Sequence, residues 1–279
     1  MLEKREFYIN GHWVAPAQAH DLQVIDPSTE AVVRYRHDDG DPTSLGADTV
    51  RFILEDRSGR LWVGTQGGGL DRLDHETGTF HHYLKDRGAP AAAGYDDVRA
   101  IFEDREGILW IGTNGGGFDR FDRESGDCTH FMHDPQDPHS LSDDRVFAIL
   151  EDHTGTLWVG TYGGGLSKFD VSRKKFRRYR NDPGDQNSLN HNIVWSFYED
   201  EDGILWIGTD SGGLNRFDRR TGRWRHYLHR PGDPSSLSHN TVRVVIGDRD
   251  GVLWIGTNGG GVNRLDRKTG RMTRYRHDP

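Results

Sequence analysis

The stretch Leu253-Trp254-Ile255-Gly256-Thr257-Asn258-Gly259-Gly260-Gly261 returns in close copies at Leu61, Leu109, Leu157 and Leu205, at a spacing of 48 residues with no insertion. A short apolar run of Trp and β-branched residues closed by a glycine cluster is the pattern of a buried strand entering a tight connection. Repeats of this kind bury their faces only against their neighbours, so the copies must stack. A period of about 40 to 50 residues is the size of a four-stranded propeller blade. The period therefore predicts an all-β fold, a β-propeller of four-stranded blades on a 48-residue repeat, with five regular blades.

Composition fits that reading. Hydrophobic residues make up only 33% of the chain, yet 36 glycines and 8 tryptophans describe a protein of few, large apolar side chains separated by much turn backbone. The 279 residues are expected to form one domain, because stacked repeats have no internal boundary. The net charge is -8, from 44 acidic and 36 basic residues interleaved along the chain, which argues against nucleic-acid binding through a general basic field. The single Cys128 rules out an intramolecular disulfide and a CxxC metal site. Glu3, Lys4, Arg5 and Glu6 have no apolar stretch behind them, and no run approaches the roughly 18 apolar residues of a membrane span. As written, the chain is expected to be a cytoplasmic, soluble monomer with no membrane partner.

Residues 1–33 lack the Leu-Trp-Ile-Gly-Thr copy. They carry two hairpin patterns, one turning at Asn10-Gly11 and one at Asp26-Pro27-Ser28-Thr29. Trp13, Ile25, Asp26, Thr29 and Tyr35 nevertheless fall 48 residues before Leu61, Leu73, Asp74, Thr77 and Tyr83. Two consecutive hairpins in that register predict a sixth, atypical blade over residues 1–36, followed by the regular blades over 37–279. A gene fusion or an engineered chimera would account for it. In the regular unit the expected strands are a over 98–104, b over 109–113, c over 118–122 and a fourth, d, ending on an aromatic: Tyr83, Phe131, Tyr179, Tyr227 or Tyr275. The d-to-a connectors are Asp-Pro-rich. The second, with Gly88-Ala89-Pro90-Ala91-Ala92-Ala93, and the fourth, with Gln186-Asn187, depart in sequence and are expected to depart in shape.

Two resemblances follow from these residues. The Phe7-Tyr8-Ile9-Asn10-Gly11 segment and the pattern after it resemble the opening β-hairpins of aldehyde dehydrogenases over residues 1–33, although no cofactor-binding βαβ unit follows. The tandem pattern V-x-x-I-x-E-D-x-x-G-x-L-W-I-G-T-x-x-G-G-L-x-R-F-D-x-x-T-G-x-F-x-x-Y, seen across residues 194–227, resembles the two-component regulator propeller repeat over residues 34–279. That resemblance implies a periplasmic sensor part of bacterial hybrid signalling proteins, whose ligands are often polysaccharide fragments. The chain as it stands has no kinase or receiver module and fewer repeats than a usual seven-bladed ring.

Most conspicuous motifs read as framework. A phosphate-cradling loop needs a helix N-terminus after its glycines, and here strand pattern follows, so the clusters serve positive φ and close blade packing. The recurrent Asp56, Asp104, Asp152, Asp200 and Asp248 are expected to cap the turns they precede. His81-His82 and the pair His130 and His133 lie on or beside strands d with no recurring third ligand, so they are read as solvated surface, with no metal and no cofactor. There is no GxSxG or HExxH motif and no catalytic residue is assigned.

The candidate site consists of positions that vary while their neighbours repeat. After the recurrent Val stand Arg51, Arg99, Phe147, Trp195 and Arg243, and after the recurrent Thr stand Gln66, Asn114, Tyr162, Asp210 and Asn258. In a propeller the d-to-a and b-to-c connections emerge on one face, which would bring the two sets together. The guanidiniums suit carboxylate or sulfate, and Phe147, Tyr162 and Trp195 suit stacking on sugar rings. The expected function is a non-catalytic ligand-binding or sensor module for a small molecule or oligosaccharide, such as an anionic saccharide. The alternatives are a propeller lyase or hydrolase acting on carbohydrate, and a recombined scaffold without a biological ligand.

Overall fold

The computed structural model describes residues 7–9, 12–14, 22–25, 32–83 and 96–276. All regular structure among them is β. Two short pairs come first: β1 (Phe7–Ile9) with β2 (His12–Val14), and β3 (Leu22–Ile25) with β4 (Val32–Tyr35), each an antiparallel two-stranded sheet. The predicted turns at 10–11 and 26–29 lie outside the described residues. Five antiparallel sheets of four consecutive strands follow. Blade I holds β5 (Val50–Glu55), β6 (Leu61–Thr65), β7 (Leu70–Leu73) and β8 (Phe80–Tyr83), and blade II holds β9 (Val98–Glu103), β10 (Leu109–Thr113), β11 (Phe118–Phe121) and β12 (Cys128–Phe131). Blade III holds β13 (Val146–Glu151), β14 (Leu157–Thr161), β15 (Leu166–Asp170) and β16 (Lys175–Tyr179). Blade IV holds β17 (Val194–Glu199), β18 (Ile204–Thr209), β19 (Leu214–Asp218) and β20 (Arg223–Tyr227). Blade V holds β21 (Val242–Gly247), β22 (Val252–Thr257), β23 (Gly261–Asp266) and β24 (Met272–Tyr275). This is the architecture of a β-propeller, as the period predicts.

The chain divides into two compact units, residues 1–89 with 96–98, and residues 90–95 with 99–279. In the first, Leu45, Val63, Leu73 and Phe80 form a core that Tyr35 of β4 joins by an edge-on contact with Phe80 at 5.3 Å. In the second, successive blades are glued by one repeated contact. Trp110 and Phe118 of blade II pack on Leu157, Val159 and Phe169 of blade III. Trp158 and Leu166 of blade III pack on Leu205, Ile207 and Phe217 of blade IV. Trp206 and Leu214 of blade IV pack on Leu253, Ile255 and Leu265 of blade V. Burying each such side chain contributes about 1.5–3 kcal/mol, so the blade interfaces carry most of the stabilisation.

Two details correct the expected boundaries. Strand a stops at Glu103, because the next residue, Asp104, leaves the ladder and accepts bonds from the turn amides of Glu106 at 3.0 Å and Ile108 at 2.8 Å. The fourth connector keeps the shape of its sisters: Asp185 N donates to Asp182 O at 3.0 Å, as Asp137 N does to Asp134 O and Asp233 N to Arg230 O at 3.2 Å. Its leading Asp builds the turn whatever follows, since Asp185 Oδ1 accepts from Asn187 N at 2.8 Å where Asp137 Oδ1 accepts from His139 N. The second connector falls outside the described residues. The glycine clusters have the expected role. Gly165 sits at φ 81°, and a Cβ there would lie 2.4 Å from the Tyr179 carbonyl oxygen.

Candidate functional site

The variable residues at the starts of the inner strands owe their orientation to a β-bulge. In blade III, Val146 pairs with Thr161 and Ala148 with Gly160, which leaves Phe147 as the extra residue. The same register shift frees Trp195 in blade IV, Arg243 in blade V and Arg51 in blade I. A bulge bends the strand and re-aims the unpaired side chain. The residues after the recurrent Thr are held close by, since Tyr162 N donates to Arg145 O at 2.9 Å, Asp210 N to Ile193 O at 3.0 Å and Asn258 N to Thr241 O at 2.9 Å. Bridges from Asn114 to Arg145 and from Tyr162 to Ile193 then tie each blade to the next connector.

In the second unit these positions assemble a ladder. Trp195 stacks on Phe147 with ring centroids 5.2 Å apart and planes 12° from parallel. Tyr162 meets both rings edge-on, at 5.2 Å from Phe147 and 5.7 Å from Trp195. Arg99 caps Phe147 at 5.2 Å and Arg243 caps Trp195 at 3.8 Å, both within cation–π range. Because β17 lies between β13 and β21, Phe147 and Arg243 approach Trp195 from opposite sides. The Trp195 indole N–H donates to Asp210 Oδ1 at 3.4 Å.

Sequence reasoning missed Arg145, whose signal is its place just before a recurrent Val. Its guanidinium lies 5.0 Å over Tyr162 and makes a two-point ion pair with Asp143 at 2.9 and 2.8 Å. The hydrogen bond to Asp143 raises the Arg145 pKa above its ordinary value. The expected stacking of sugar rings on Trp195 needs correction, because both of its faces are already covered, by a ring and by a guanidinium. Asn114 is half-buried and Asn258 exposed. In the first unit Arg51 and Gln66 are exposed and form their own pair, Arg51 Nη2 donating to Gln66 Oε1.

The histidines differ from expectation in one contact each. His82 Nδ1 lies 2.6 Å from Oδ1 of the fully buried Asp71, and His130 Nδ1 lies 2.7 Å from Oδ1 of the fully buried Asp119. His82 is half-buried and His130 exposed, so both remain surface side chains, with one ring nitrogen tied to an internal carboxylate.

Fold and site together define a β-propeller that presents variable, partly cationic side chains at the starts of its inner strands. Five segments of its repeats, residues 44–67, 94–115, 140–163, 188–211 and 236–259, match the two component regulator propeller family. Among solved structures the chain is similar to the extracellular domain of a hybrid two component system from B. thetaiotaomicron, at 26% identity and a TM-score of 0.71, over 90% of this chain and 31% of that one. It is similar in fold to the extracellular domain of a one component system from the same organism, at 21% identity and a TM-score of 0.56, over 92% of this chain and 39% of that one. Virginiamycin B lyase from Staphylococcus aureus shares the fold at 15% identity and a TM-score of 0.60, over 83% of this chain and 71% of that one. This chain thus spans well under half the length of the first two structures. A comparison with curated proteins gives no match. The family matches begin at residue 44, so the aldehyde dehydrogenase resemblance of residues 1–33 stands as a sequence likeness alone. Among the described residues no helix is long and apolar enough to cross a membrane.

Proposed function

We propose that the chain is a non-catalytic ligand-binding propeller of sensor type, taking an anionic, saccharide-class ligand at the arginine–aromatic ladder of the second unit. The observation that carries this reading is Arg243. It is exposed, lies 3.8 Å over the Trp195 ring, and has no hydrogen bond or ion pair among the described residues. A guanidinium held flat on a ring keeps its in-plane N–H donors available for a carboxylate or sulfate. Arg99 places a second cation at the other end of the stack, and the covered ring faces leave ring edges and the Arg243 guanidinium for the ligand. Similarity to an extracellular domain of a hybrid two component system supports the sensor reading, and favours a location outside the cytoplasm over the cytoplasmic one expected from the first residues.

The test is calorimetric titration with carboxylated, sulfated and neutral oligosaccharides of one length, with product analysis on the same samples. Anionic ligands are expected to bind at least about tenfold more tightly than neutral ones, a difference of about 1.4 kcal/mol. Arg99→Ala combined with Arg243→Ala should abolish that binding while the melting temperature stays nearly unchanged. Arg51→Ala reads the first unit separately. Equal binding of neutral ligands, or retained affinity in the double variant, would place the ligand elsewhere, and product formation would make the chain an enzyme.

A further inference from the structure

In blades III and V the fourth strand sends an arginine into the connector leading to its own blade. Arg178 of β16 donates through Nε to Ser140 O at 3.0 Å, and through Nη2 to Asp137 O at 2.9 Å, Ser140 Oγ at 2.7 Å and Leu141 O at 3.1 Å. Arg274 of β24 repeats the set on Ser236 O at 2.8 Å, Asp233 O at 2.7 Å, Ser236 Oγ at 2.6 Å and Leu237 O at 3.0 Å. Each connector directs three backbone carbonyls and a serine hydroxyl at one guanidinium.

Blade IV has His226 at this position. Its Nε2 donates to Ser188 O at 2.9 Å, so it makes the first of the four contacts and, being shorter than arginine, none of the others. The connector is nevertheless folded as in its sisters. Asp182 N donates to Ser188 Oγ at 3.0 Å, matching Asp134 N to Ser140 Oγ at 2.7 Å and Arg230 N to Ser236 Oγ at 2.8 Å. The acceptors equivalent to those that hold Arg178 and Arg274 are therefore in place without their cation. A cleft of about 350 Å³ opens there, lined among others by Asp182, Asp185, Ser188, Asn190, Trp224 and His226. That is within the size range of small-molecule sites, about 300–1,000 Å³. Trp224, one face of which stacks on Phe217 at 4.2 Å, supplies an aromatic wall. Asp182 and Asp185 each spend Oδ1 on a turn amide, of Gly184 at 2.9 Å and Asn187 at 2.8 Å, and their carboxylates add negative charge to the rim.

We propose that this cleft binds a guanidinium group supplied from outside the blade, carried by free arginine, another guanidino compound or an arginine side chain of a peptide. The planar fork of a guanidinium matches several carbonyls at once, whereas an ammonium is a point charge, so arginine is selected over lysine. The site is separate from the ladder that carries the proposed function, and its test does not depend on that reading.

The full chain is titrated by calorimetry with N-acetyl-arginine amide, N-acetyl-lysine amide and the peptide acetyl-Gly-Arg-Gly amide. Saturable binding of the arginine compounds is expected, about tenfold or more tighter than lysine, a gap of about 1.4 kcal/mol. His226→Arg should fill the cleft with its own side chain and abolish the binding while leaving the melting temperature equal or higher. His226→Ala should retain it, Asp182→Asn should weaken it several-fold, and Arg243→Ala should leave it unchanged. Equal affinity for free arginine and peptide assigns a small-molecule ligand, and a much tighter peptide assigns a partner protein's arginine. No saturable arginine binding, equal lysine binding, calcium binding in place of arginine, or undiminished affinity in His226→Arg would each overturn the proposal. Should His226→Arg fail to fold, undiminished affinity in Asp182→Asn would do the same.

Discussion

The two ends of each inner strand obey opposite rules. At one end the bulge residue changes from blade to blade, Phe147, Trp195 and Arg243. At the other an aspartate recurs without exception, and its surroundings explain why. Asp152 Oδ1 accepts from Thr154 N at 2.9 Å and Thr156 N at 3.0 Å, while Oδ2 accepts from the Trp158 indole at 2.7 Å. The same strut joins Asp56 to Trp62, Asp104 to Trp110, Asp200 to Trp206 and Asp248 to Trp254 at 2.7 to 2.9 Å. Arginines of following blades close on two of these carboxylates, Arg219 on Asp152 and Arg267 on Asp200. Where every polar atom of a buried residue has a framework partner, no other side chain serves. Where a bulge leaves a side chain without a ladder neighbour, the residue is open to change, and the proposed ligand site draws on such positions.

The largest test of this contrast is Asp152→Ala. It strands the Trp158 indole and the Arg219 guanidinium, so urea denaturation should record a loss of about 3–5 kcal/mol. A loss under about 1 kcal/mol would break the contrast between the two strand ends.

Acid titration sharpens the same point. Burial pushes the Asp152 carboxyl up, but bonds from Thr154, Trp158 and Thr156 together with the Arg219 charge bring it below the ordinary 3.8. A carboxyl lowered by folding stabilises the fold fully above its unfolded pKa and loses that contribution as pH falls through the folded value. Stability should therefore decline below about pH 4 less steeply in Asp152→Asn than in the parent chain, as read by melting temperature against pH. Identical slopes would contradict the lowered carboxyl.

At the variable end the effects should be smaller. Trp195→Ala removes a stacked pair in a half-buried cluster and should cost about 1–2 kcal/mol. Arg243→Ala should cost less than about 1 kcal/mol, the range of an exposed cation–π contact, while removing anion binding. A loss at Trp195 as large as that at Asp152 would make the ladder framework rather than site.

The smallest expected effect has the opposite sign. Burial raises the Asp144 carboxyl above 3.8, against the bond it accepts from His133 N at 2.6 Å. Blades IV and V use asparagine in this role, Asn192 Oδ1 accepting from Asn181 N and Asn240 Oδ1 from His229 N at 2.7 Å. Asp144→Asn keeps the bond and removes a partly buried charge, so the chain should gain a few tenths of a kcal/mol at neutral pH. The gain should shrink as pH falls through the raised pKa. A loss of stability would mean that the charge itself is used.

Much of this was legible in the amino-acid order because it is local and periodic. The strand pattern, the turns opened by recurrent aspartates and the positive-φ glycines depend on residues within a few positions of one another. The repeated Trp and Val positions then leave stacked blades as the way to bury their apolar faces, so the sequence alone determined the propeller of four-stranded blades and marked the positions free to vary. It could not say what those positions do once assembled. That Phe147, Trp195 and Arg243 cover one another's faces, that Arg145 joins them, that His82 and His130 anchor to buried aspartates, and that the shorter His226 leaves a cleft where Arg178 and Arg274 fill theirs were decided by tertiary structure. Each involves side chains from different strands or connectors, and the register of the hairpins, the bends of the bulges and the stacking of the blades set their distances.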